Sequence, residues 1–258
     1  MKTSLDDGCG CFPTGRHYAG IAGLGASALP SGSLAAELPA TTPWRDLPIA
    51  MLDVETTGLD PERDRILEVG VAIISGGVVT ESRSWLVQPG IPVPESSRAI
   101  HGITDDDLAS APLFEHVADE ILEMVGSRLP AAYNARFDRG FLHAAMRRVE
   151  RMAGPEDERP PMLRERLVWV DPLVWVRHLI SIDYMPAGEL GKARGLGKVA
   201  EFLDIPATTA HRAAEDAETA ARVLLALPKM PTAYGDLVRV QMRQEARQDV
   251  ESAGWRRS

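Results

Sequence analysis

The chain has 258 residues, with 45% hydrophobic residues, 25% charged residues and a formal net charge of −9 at pH 7. This composition is typical of a globular protein of one or two domains, and it excludes wholesale disorder, a collagen-like repeat and a coiled coil. No apolar run approaches the roughly 18 residues of a membrane-spanning helix, and the first residues lack the apolar core of a secretory signal, so we expect no membrane contact.

The acidic charge is concentrated in one part of the chain. Residues 53–128 contain 15 acidic residues and 5 arginines. This balance argues against tight nucleic-acid binding driven by charge alone, because phosphate neutralisation requires lysine and arginine. It does not exclude a nucleic-acid enzyme whose carboxylates hold divalent cations, because the metal then supplies the positive field locally.

The first 48 residues are predicted to be a flexible N-terminal extension. Glycine, proline, alanine and serine make up 23 of these 48 residues, without helical or strand periodicity. The extension carries Cys9 and Cys11, which are too few for a structural zinc site and too close for a structural disulfide. We therefore expect a reducing, cytoplasmic setting, with a core domain at 49–227 and a C-terminal tail at 228–258.

The core domain opens with three predicted strands. The first is the apolar run from Ile49 to Val54, which ends at Glu55 and is followed by Thr56-Thr57-Gly58. Two further strands, 66–74 and 78–87, are joined by the turn Ser75-Gly76-Gly77. This pattern predicts an antiparallel meander.

A short strand at 131–133 lies between two predicted helices with apolar residues at four-residue spacing. The apolar positions are Leu113, Val117, Ile121 and Val125 in the first helix, and Phe137, Phe141, Ala145 and Val149 in the second. The stretch 154–166 is charged and contains three prolines, so we expect an exposed loop there.

The rest of the core continues the alternation of strands and helices. A buried strand is predicted at 167–170, Asp171-Pro172 has the form of a helix N-cap and first helical residue, and helices are predicted at 196–203 and 213–227. The tail is predicted to form a polar helix with a thin stripe of Val238, Met242 and Ala246. Together these elements predict a layered α/β domain of roughly 180 residues.

Asp53 and Glu55 are the first candidates for chemistry. They lie two residues apart on a predicted strand, so both side chains point to one face, at the end of the strand where ligands bind in open α/β sheets. Two close carboxylates repel each other unless a cation lies between them, and oxygen ligands suit Mg²⁺ or Mn²⁺. The alternative is a pair of surface acids that cap a turn.

Two later segments add an acid each. Asp138 falls in the first turn of the helix that follows the 131–133 strand, and His211 precedes Asp216 by five residues at the start of another helix. Within one helix, five residues correspond to about 140° of rotation, so both could face one site only if His211 lies on the preceding loop. The alternative for each segment is a capped helix, with a solvated histidine at 211.

These segments carry a resemblance to a known family. The motifs are D-x-E-T-T-G at 53–58, H-G-I-T at 101–104, N-A-x-F-D at 134–138 and H-x4-D at 211–216. In this order and at these separations they resemble the DEDDh 3′–5′ exonucleases, and more narrowly the DnaQ group, which includes the proofreading epsilon subunit of bacterial DNA polymerase III. The resemblance extends from about residue 49 to residue 227.

The resemblance implies a fold and a mechanism. The fold would be ribonuclease-H-like, with three layers and a mixed central sheet flanked by helices. The reaction would be two-metal hydrolysis of the terminal phosphodiester, with Mg²⁺ or Mn²⁺ held by Asp53, Glu55, Asp138 and Asp216. His211 would be the general base that takes a proton from the attacking water.

The same resemblance implies a set of substrate-binding residues around the 3′-terminal nucleotide. The residues are Thr56, Thr57, Gly58, Leu59, His101, Asn134 and Phe137. Core packing is the alternative for Leu59 and Phe137, and a turn role is the alternative for Gly58.

Several functional alternatives stay open at this stage. The leading substrate is single-stranded DNA with a 3′ end, in proofreading or repair, and the alternative is RNA, because the same catalytic set serves exoribonucleases. A remote alternative is a non-catalytic interaction module on the same fold. We find no glutamine-led clamp-binding peptide after the core, so the sequence does not support association with a polymerase.

Overall fold

A computed structural model describes residues 41–190, 194–206 and 212–255. The predictions for residues 1–40, including Cys9 and Cys11, lie outside these described residues.

In the described residues the central sheet has four strands, in the order β3-β2-β1-β4. The strands are β1 (Ile49–Thr56), β2 (Ile66–Ser75), β3 (Val78–Leu86) and β4 (Leu129–Ala132). The first three strands pair antiparallel, as the predicted meander requires, whereas β4 lies parallel to β1. The result is a mixed sheet in which β1 and β2 are central.

The described helices lie on both faces of this sheet. They are α1 (Glu95–His101), α2 (Asp105–Leu108), α3 (Phe114–Val125), α4 (Ala135–Arg148), α5 (Pro172–Ser181), α6 (Ala187–Leu190), α7 (Leu196–Phe202), α8 (Ala213–Ala226) and α9 (Tyr234–Trp255). Short 3-10 helices occupy Trp44–Asp46, Glu156–Glu158 and Pro161–Leu163. None of the helices in the described part of the chain is long and apolar enough to cross a membrane.

The alternation of side chains along β1 divides the core into two main layers. Ile49 and Met51 point to the face covered by α5, α8 and α9, whereas Leu52 and Val54 point to the face covered by α3 and α4. Strand β2 is buried on both faces, and its sequence is correspondingly a nearly continuous apolar run. The three-layer arrangement predicted from the sequence is confirmed.

One predicted strand is much shorter than expected. Of the stretch 167–170, Val170 forms an isolated parallel bridge with Ala131, with hydrogen bonds from Val170 N to Pro130 O and from Ala132 N to Val170 O. The pairing ends there because Asp171 caps α5, which begins at Pro172. The predicted N-cap and first helical residue are confirmed.

The stretch 154–166 is not exposed throughout, so that expectation is wrong in part. Pro161, Met162 and Leu163 are buried, and the last two belong to the apolar cluster under α3 and α4. The charged residues on either side conceal this short apolar segment when composition is averaged over the loop.

The C-terminal helix packs more extensively than its sequence suggests. Its buried residues include Tyr234, Leu237, Val238, Val240 and Gln241. The predicted stripe was wrong at Met242 and Ala246, which are exposed. Backbone pairing of Pro43 with Ala233 ties the start of the described chain to this region. The domain boundaries drawn from the sequence stay predictions.

Gly70 marks a point at which the start of helix α8 lies in close contact with the sheet. A Cβ atom at Gly70, in the middle of β2, would lie 2.0 Å from the carbonyl carbon of Ala213 and 2.1 Å from its oxygen. These are backbone atoms, so no side-chain rotation relieves the overlap. The absence of a side chain at residue 70 therefore fixes how closely α8 lies against the sheet.

We expect Gly70→Ala to lower the free energy of unfolding by more than about 2 kcal/mol, because α8 must move away from β2. Urea denaturation followed by circular dichroism measures the change. The matched control is Gly197→Ala in α7, where a Cβ atom meets nothing within 4 Å and alanine is expected to be neutral or to stabilise the helix slightly. Equal unfolding midpoints for the two variants would contradict the expectation.

Candidate active site

Three carboxylates converge at one edge of the sheet. Asp53 and Glu55 project from β1, and Asp216 projects from the first turn of α8. One oxygen from each lies within 4.8 Å of the others, a spacing at which the three could bind one metal ion. All three residues are half-buried, so the cluster has access to solvent.

Asp138 approaches the same strand from the other side. It lies in the first turn of α4 and is only 3% exposed. Strand β4 pairs with β1 only as far as Leu52, and beyond that point the Val54 amide donates a hydrogen bond to Asp138 Oδ1 at 3.1 Å. Asp138, the fourth predicted acid, is thus held beside Val54, the residue between Asp53 and Glu55.

The acids strongly influence one another. Burial raises the pKa of Asp53 well above its ordinary value, and the charges of Asp138, Glu55 and Asp216 raise it further. Burial, together with the charges of Asp216 and Glu68, raises the pKa of Glu55 to about 7. A divalent cation among these oxygens would offset the repulsion, and carboxylates are the ligands that Mg²⁺ and Mn²⁺ prefer. The donor set therefore fits a hard divalent metal.

Glu68 fixes the position of the helix that carries Asp216. Its side chain is fully buried and accepts hydrogen bonds from Arg212 Nε at 3.0 Å and Nη2 at 2.9 Å, from the Ala213 amide at 3.2 Å and from Ser84 Oγ at 2.7 Å. Burial raises the pKa of Glu68, but these hydrogen bonds outweigh burial and leave the pKa below its ordinary value. The Asp216 amide in turn donates to Arg212 O at 2.9 Å.

Sequence reasoning missed Glu68. The available signal is that Glu68 is the one charged residue in the otherwise apolar run 66–74. A charge in a strand that is buried on both faces requires a partner, and here that partner is Arg212.

Asp171 holds the start of α4 in a similar way. Its carboxylate accepts hydrogen bonds from the amides of Asn134 at 3.1 Å, Ala135 at 2.9 Å and Leu173 at 2.8 Å. One buried side chain therefore caps α5 and also anchors the segment that leads to Asp138. Burial raises the pKa of Asp171 to about 6.

The motif that follows β1 forms a tightly hydrogen-bonded loop. Thr57 Oγ1 donates to Asp64 Oδ1 at 3.2 Å, and a Cβ atom at Gly58 would lie 2.4 Å from the other oxygen of Asp64. Thr56 Oγ1 donates to Gly58 O at 2.6 Å. The loop leaves Leu59 85% exposed, so core packing, the alternative for this residue, is not what the structure has.

The other predicted substrate-binding residues lie in different surroundings. Asn134 adopts a left-handed conformation, with φ of 76°, directly before α4, and the half-buried Phe137 packs on Phe141 at 4.9 Å between ring centres. His101 is buried at the end of α1, where its Nδ1 accepts a hydrogen bond from the Ile103 amide. His211 lies outside the described residues.

Comparison with known proteins identifies the class to which this chain belongs. The family RNase_T, described as exonuclease, matches residues 50–224, so the chain belongs to this exonuclease family. The resemblance to DnaQ-like exonucleases predicted from the motifs is thereby confirmed.

Relatives of known name are much longer than this chain. The PolC-type DNA polymerase III of Thermotoga maritima is 30% identical over 190 residues, which are 74% of this chain and 12% of that protein. The 3′–5′ exonuclease DinG of Staphylococcus haemolyticus is 28% identical over 176 residues, which are 68% of this chain and 17% of that protein. The similarity thus covers one part of each larger protein.

Solved structures show the same fold. Exonuclease X in complex with 5′-overhanging duplex DNA matches with a TM-score of 0.52 and 24% identity, over 74% of this chain and 99% of that one. Exonuclease I of E. coli in complex with a dT13 oligonucleotide matches with a TM-score of 0.59 and 17% identity, over 71% of this chain and 41% of that one. The predicted ribonuclease-H-like fold is confirmed.

The raised pKa of Glu55 leads to a pH-dependent prediction. A carboxyl group whose pKa is about 7 in the folded chain and about 4.5 in the unfolded chain destabilises the metal-free fold as pH rises between these values. We expect Glu55→Gln to stabilise the metal-free protein relative to the wild type at pH 8, by up to about 3 kcal/mol, and to have little effect near pH 4.5.

Urea denaturation in EDTA, with both proteins measured at each pH, gives the difference in stability that Glu55 makes, including its effect on the pKa of Asp53. Mn²⁺ at pH 8 should raise the wild-type melting temperature and shift the variant much less. An advantage of the variant that does not change with pH would contradict the assignment.

Proposed function

We propose that this protein is a metal-dependent 3′–5′ exonuclease that releases nucleoside monophosphates from DNA ends. The observation that carries the proposal is the convergence of Asp53, Glu55 and Asp216 within 4.8 Å in a chain of the exonuclease family. A calcium-stabilised structural domain would need neither Asp138 nor a histidine five residues before Asp216.

Mg²⁺ or Mn²⁺ would be held by the acidic cluster. Asp53, Glu55 and Asp216 would hold one ion, and Asp53 together with Asp138 would hold a second. Two such ions stabilise the charge on the attacking and leaving oxygens of a phosphodiester. The mutual repulsion of the carboxylates supports this role, because bound cations would offset it.

The protein's own part in the chemistry is to move a proton and to position the end of the strand. His211, with an ordinary pKa near 6.5, would take the proton from the attacking water. The water oxygen forms a bond to phosphorus, the bond from phosphorus to the 3′ oxygen breaks, and that oxygen leaves as a hydroxyl once it has gained a proton. The product is a nucleoside 5′-monophosphate.

The terminal nucleotide would contact the loop that follows β1. The exposed side chain of Leu59 supports this, because a large apolar residue in water is available to pack against a base or sugar. Thr56, Thr57 and Gly58 would bring backbone close to the same nucleotide. We include Asn134, Phe137 and His101 in the proposal as further residues that would contact this nucleotide.

DNA is the leading substrate, in single-stranded form. The names of the relatives support this choice, because they are a DNA polymerase and a 3′–5′ exonuclease, and the two solved structures contain DNA. RNA ends are the alternative. Proofreading and repair both agree with the proposed reaction, and association with a polymerase lacks support from a clamp-binding peptide.

We expect Asp216→Asn to abolish hydrolysis and to weaken metal binding while the fold is retained. The assay follows 5′-labelled single-stranded DNA, the same sequence as RNA, and a 3′-mismatched DNA duplex with Mg²⁺ or Mn²⁺, and EDTA provides a metal-free reaction. Asp204→Asn, at an exposed position between α7 and α8, is the matched control and should cut normally. Cleavage of RNA alone would favour the alternative substrate, and full activity of Asp216→Asn would disprove the ligand assignment.

His211→Ala is expected to reduce turnover by roughly 10² to 10⁴, the usual contribution of a general base, with metal binding retained. Turnover of DNA and Mn²⁺ binding by calorimetry are measured on the same preparation. A loss of metal binding equal to that of Asp216→Asn would exclude a purely proton-transferring role.

A further inference from the structure

A cavity opens at the same edge of the sheet as the carboxylates. Its volume is about 220 Å³, and Arg65, Ile66, Gln88, Phe114 and Arg148 are among the residues that line it. Strand β1 ends, β2 begins and β3 ends at this edge, because β1 and β3 both pair antiparallel with β2. The cavity lies on the α3 and α4 face, whereas Asp53 and Glu55 point to the opposite face.

The loop after β1 links this cavity directly to the proposed nucleotide site. The Thr57 amide donates to Arg65 O at 2.9 Å, and the Arg65 amide donates to Thr57 Oγ1 at 3.0 Å. Ile66, in the cavity wall, is the strand partner of Thr56. Nucleic acid that passes around this loop from the carboxylates would therefore reach the cavity.

Two arginines give the cavity its charge. Arg65 Nη1 donates to the carbonyls of Arg63 and Asp64 at 3.0 and 2.9 Å, and Arg148 Nη2 donates to the carbonyls of Pro61 and Glu62 at 2.6 and 2.9 Å. Within the described part of the chain, neither guanidinium forms an ion pair with a carboxylate.

Neighbouring arginines differ in this respect, since Arg147 pairs with Glu62 at 3.0 Å and Arg151 with Asp119 at 2.7 Å. A guanidinium has five N–H donors, so Arg65 and Arg148 each retain donors beyond those that hold the loop. Arg65 and Arg148 line the same cavity. Burial, and then the positive charge of Arg65, lower the pKa of Arg148, while the nearby Glu62 raises it. An anion between them would relieve this repulsion.

The remaining wall is mainly apolar. Phe114 and Leu113, which is 45% exposed, lie at the start of α3. Glu115, the acid among the described lining residues, is itself exposed and lies 3.6 Å from His116 Nε2. A pair of cations beside an apolar surface suits a phosphate that carries a sugar and a base.

We propose that this cavity, the Arg65–Arg148 cavity, binds a backbone phosphodiester of the nucleic acid, outside the nucleotide that is hydrolysed. The inference rests on the proposed function and deepens it. The phosphodiester belongs either to the same strand, upstream of its 3′ end, or to the complementary strand of a duplex. In a chain with a net charge of −9, such a local pair of cations supplies attraction that the protein as a whole lacks.

The test compares Arg65→Gln and Arg148→Gln with Arg128→Gln. Arg128 lies at the opposite edge of the sheet, directly before β4, and its Nη1 also donates to a carbonyl, that of Met124 at 2.9 Å. Each variant removes one positive charge together with a guanidinium hydrogen bond to a backbone carbonyl, so the loss of that bond is common to the cavity variants and the control. Fluorescence anisotropy in EDTA measures binding of a labelled 12-nucleotide single strand and of a duplex that contains that strand. The salt concentration is varied from about 50 to about 200 mM, the range over which affinity that depends on phosphate contacts falls steeply.

Arg65→Gln and Arg148→Gln should each weaken binding about tenfold and reduce the slope of log K against log salt by about 0.7 for single strands or 0.9 for duplex, whereas Arg128→Gln should not. Loss on the single strand assigns the contact to the same strand, and loss on the duplex alone assigns it to the complementary strand. Either result supports the cavity. Unchanged salt slopes would overturn it.

Hydrolysis of the p-nitrophenyl ester of thymidine 5′-monophosphate, which is too small to occupy both sites, separates binding from mere support of the loop. The two variants should lose about tenfold more in kcat/KM on the 12-nucleotide strand than on the ester. Equal losses on both substrates would show that these arginines only hold the loop, and would overturn the proposal. If the wild type hydrolyses neither substrate, the proposed function is wrong. The binding titration still tests whether the Arg65–Arg148 cavity binds a phosphodiester.

Discussion

The contact between β2 and the start of α8 is the constraint on which the rest of the site depends. Glu68 binds Arg212 and the Ala213 amide from within the sheet, and Gly70 lets the backbone of Ala213 lie directly against the strand. Asp216, one turn further along α8, therefore reaches the acids of β1. Without this anchor, the repulsion among three half-buried carboxylates would favour movement of the helix away from the sheet.

A second anchor holds the opposite side of the site. Asp171 accepts hydrogen bonds from the amides of Asn134 and Ala135. The helix that begins there, α4, places Asp138 where it accepts a hydrogen bond from the Val54 amide. The carboxylates thus have two different roles in this fold. Glu68 and Asp171 are satisfied by hydrogen bonds and give rigidity, whereas Asp53 and Glu55 are crowded and ready for a cation. Because Glu68 and Asp171 hold their helices rigidly in place, the fold tolerates the repulsion between Asp53 and Glu55.

Local patterns were sufficient to predict most of the elements. The apolar run of β1, the turn at 75–77 and the four-residue spacing in α3 and α4 are short-range signals, and Asp171-Pro172 is a local helix start. The order of the motifs was sufficient to predict that Asp53, Glu55 and Asp216 lie close together.

Features that depend on tertiary packing were not predicted. The buried stripe of α9 includes Gln241, so a polar residue occupies a core position. Its side-chain amide donates a hydrogen bond to Trp169 O, and its side-chain oxygen accepts one from the Asp171 amide. The buried Met162 is concealed among charges. The pairing of Glu68 with Arg212 spans 144 residues, a distance over which no periodicity operates. Such long-range contacts appear only when the chain is folded.

The outermost described strand, β3, has a consequence for self-association. It is nine residues long and lies at the end of the strand order, so within the described part of the chain its outer backbone groups form a template on which another strand could assemble. Glu81 and Arg83 place charges along this edge, and the register shifts between Ile73 and Ile74 of its neighbour. Charge and irregular register both discourage edge-to-edge aggregation, so the sheet is protected from growth by a second copy.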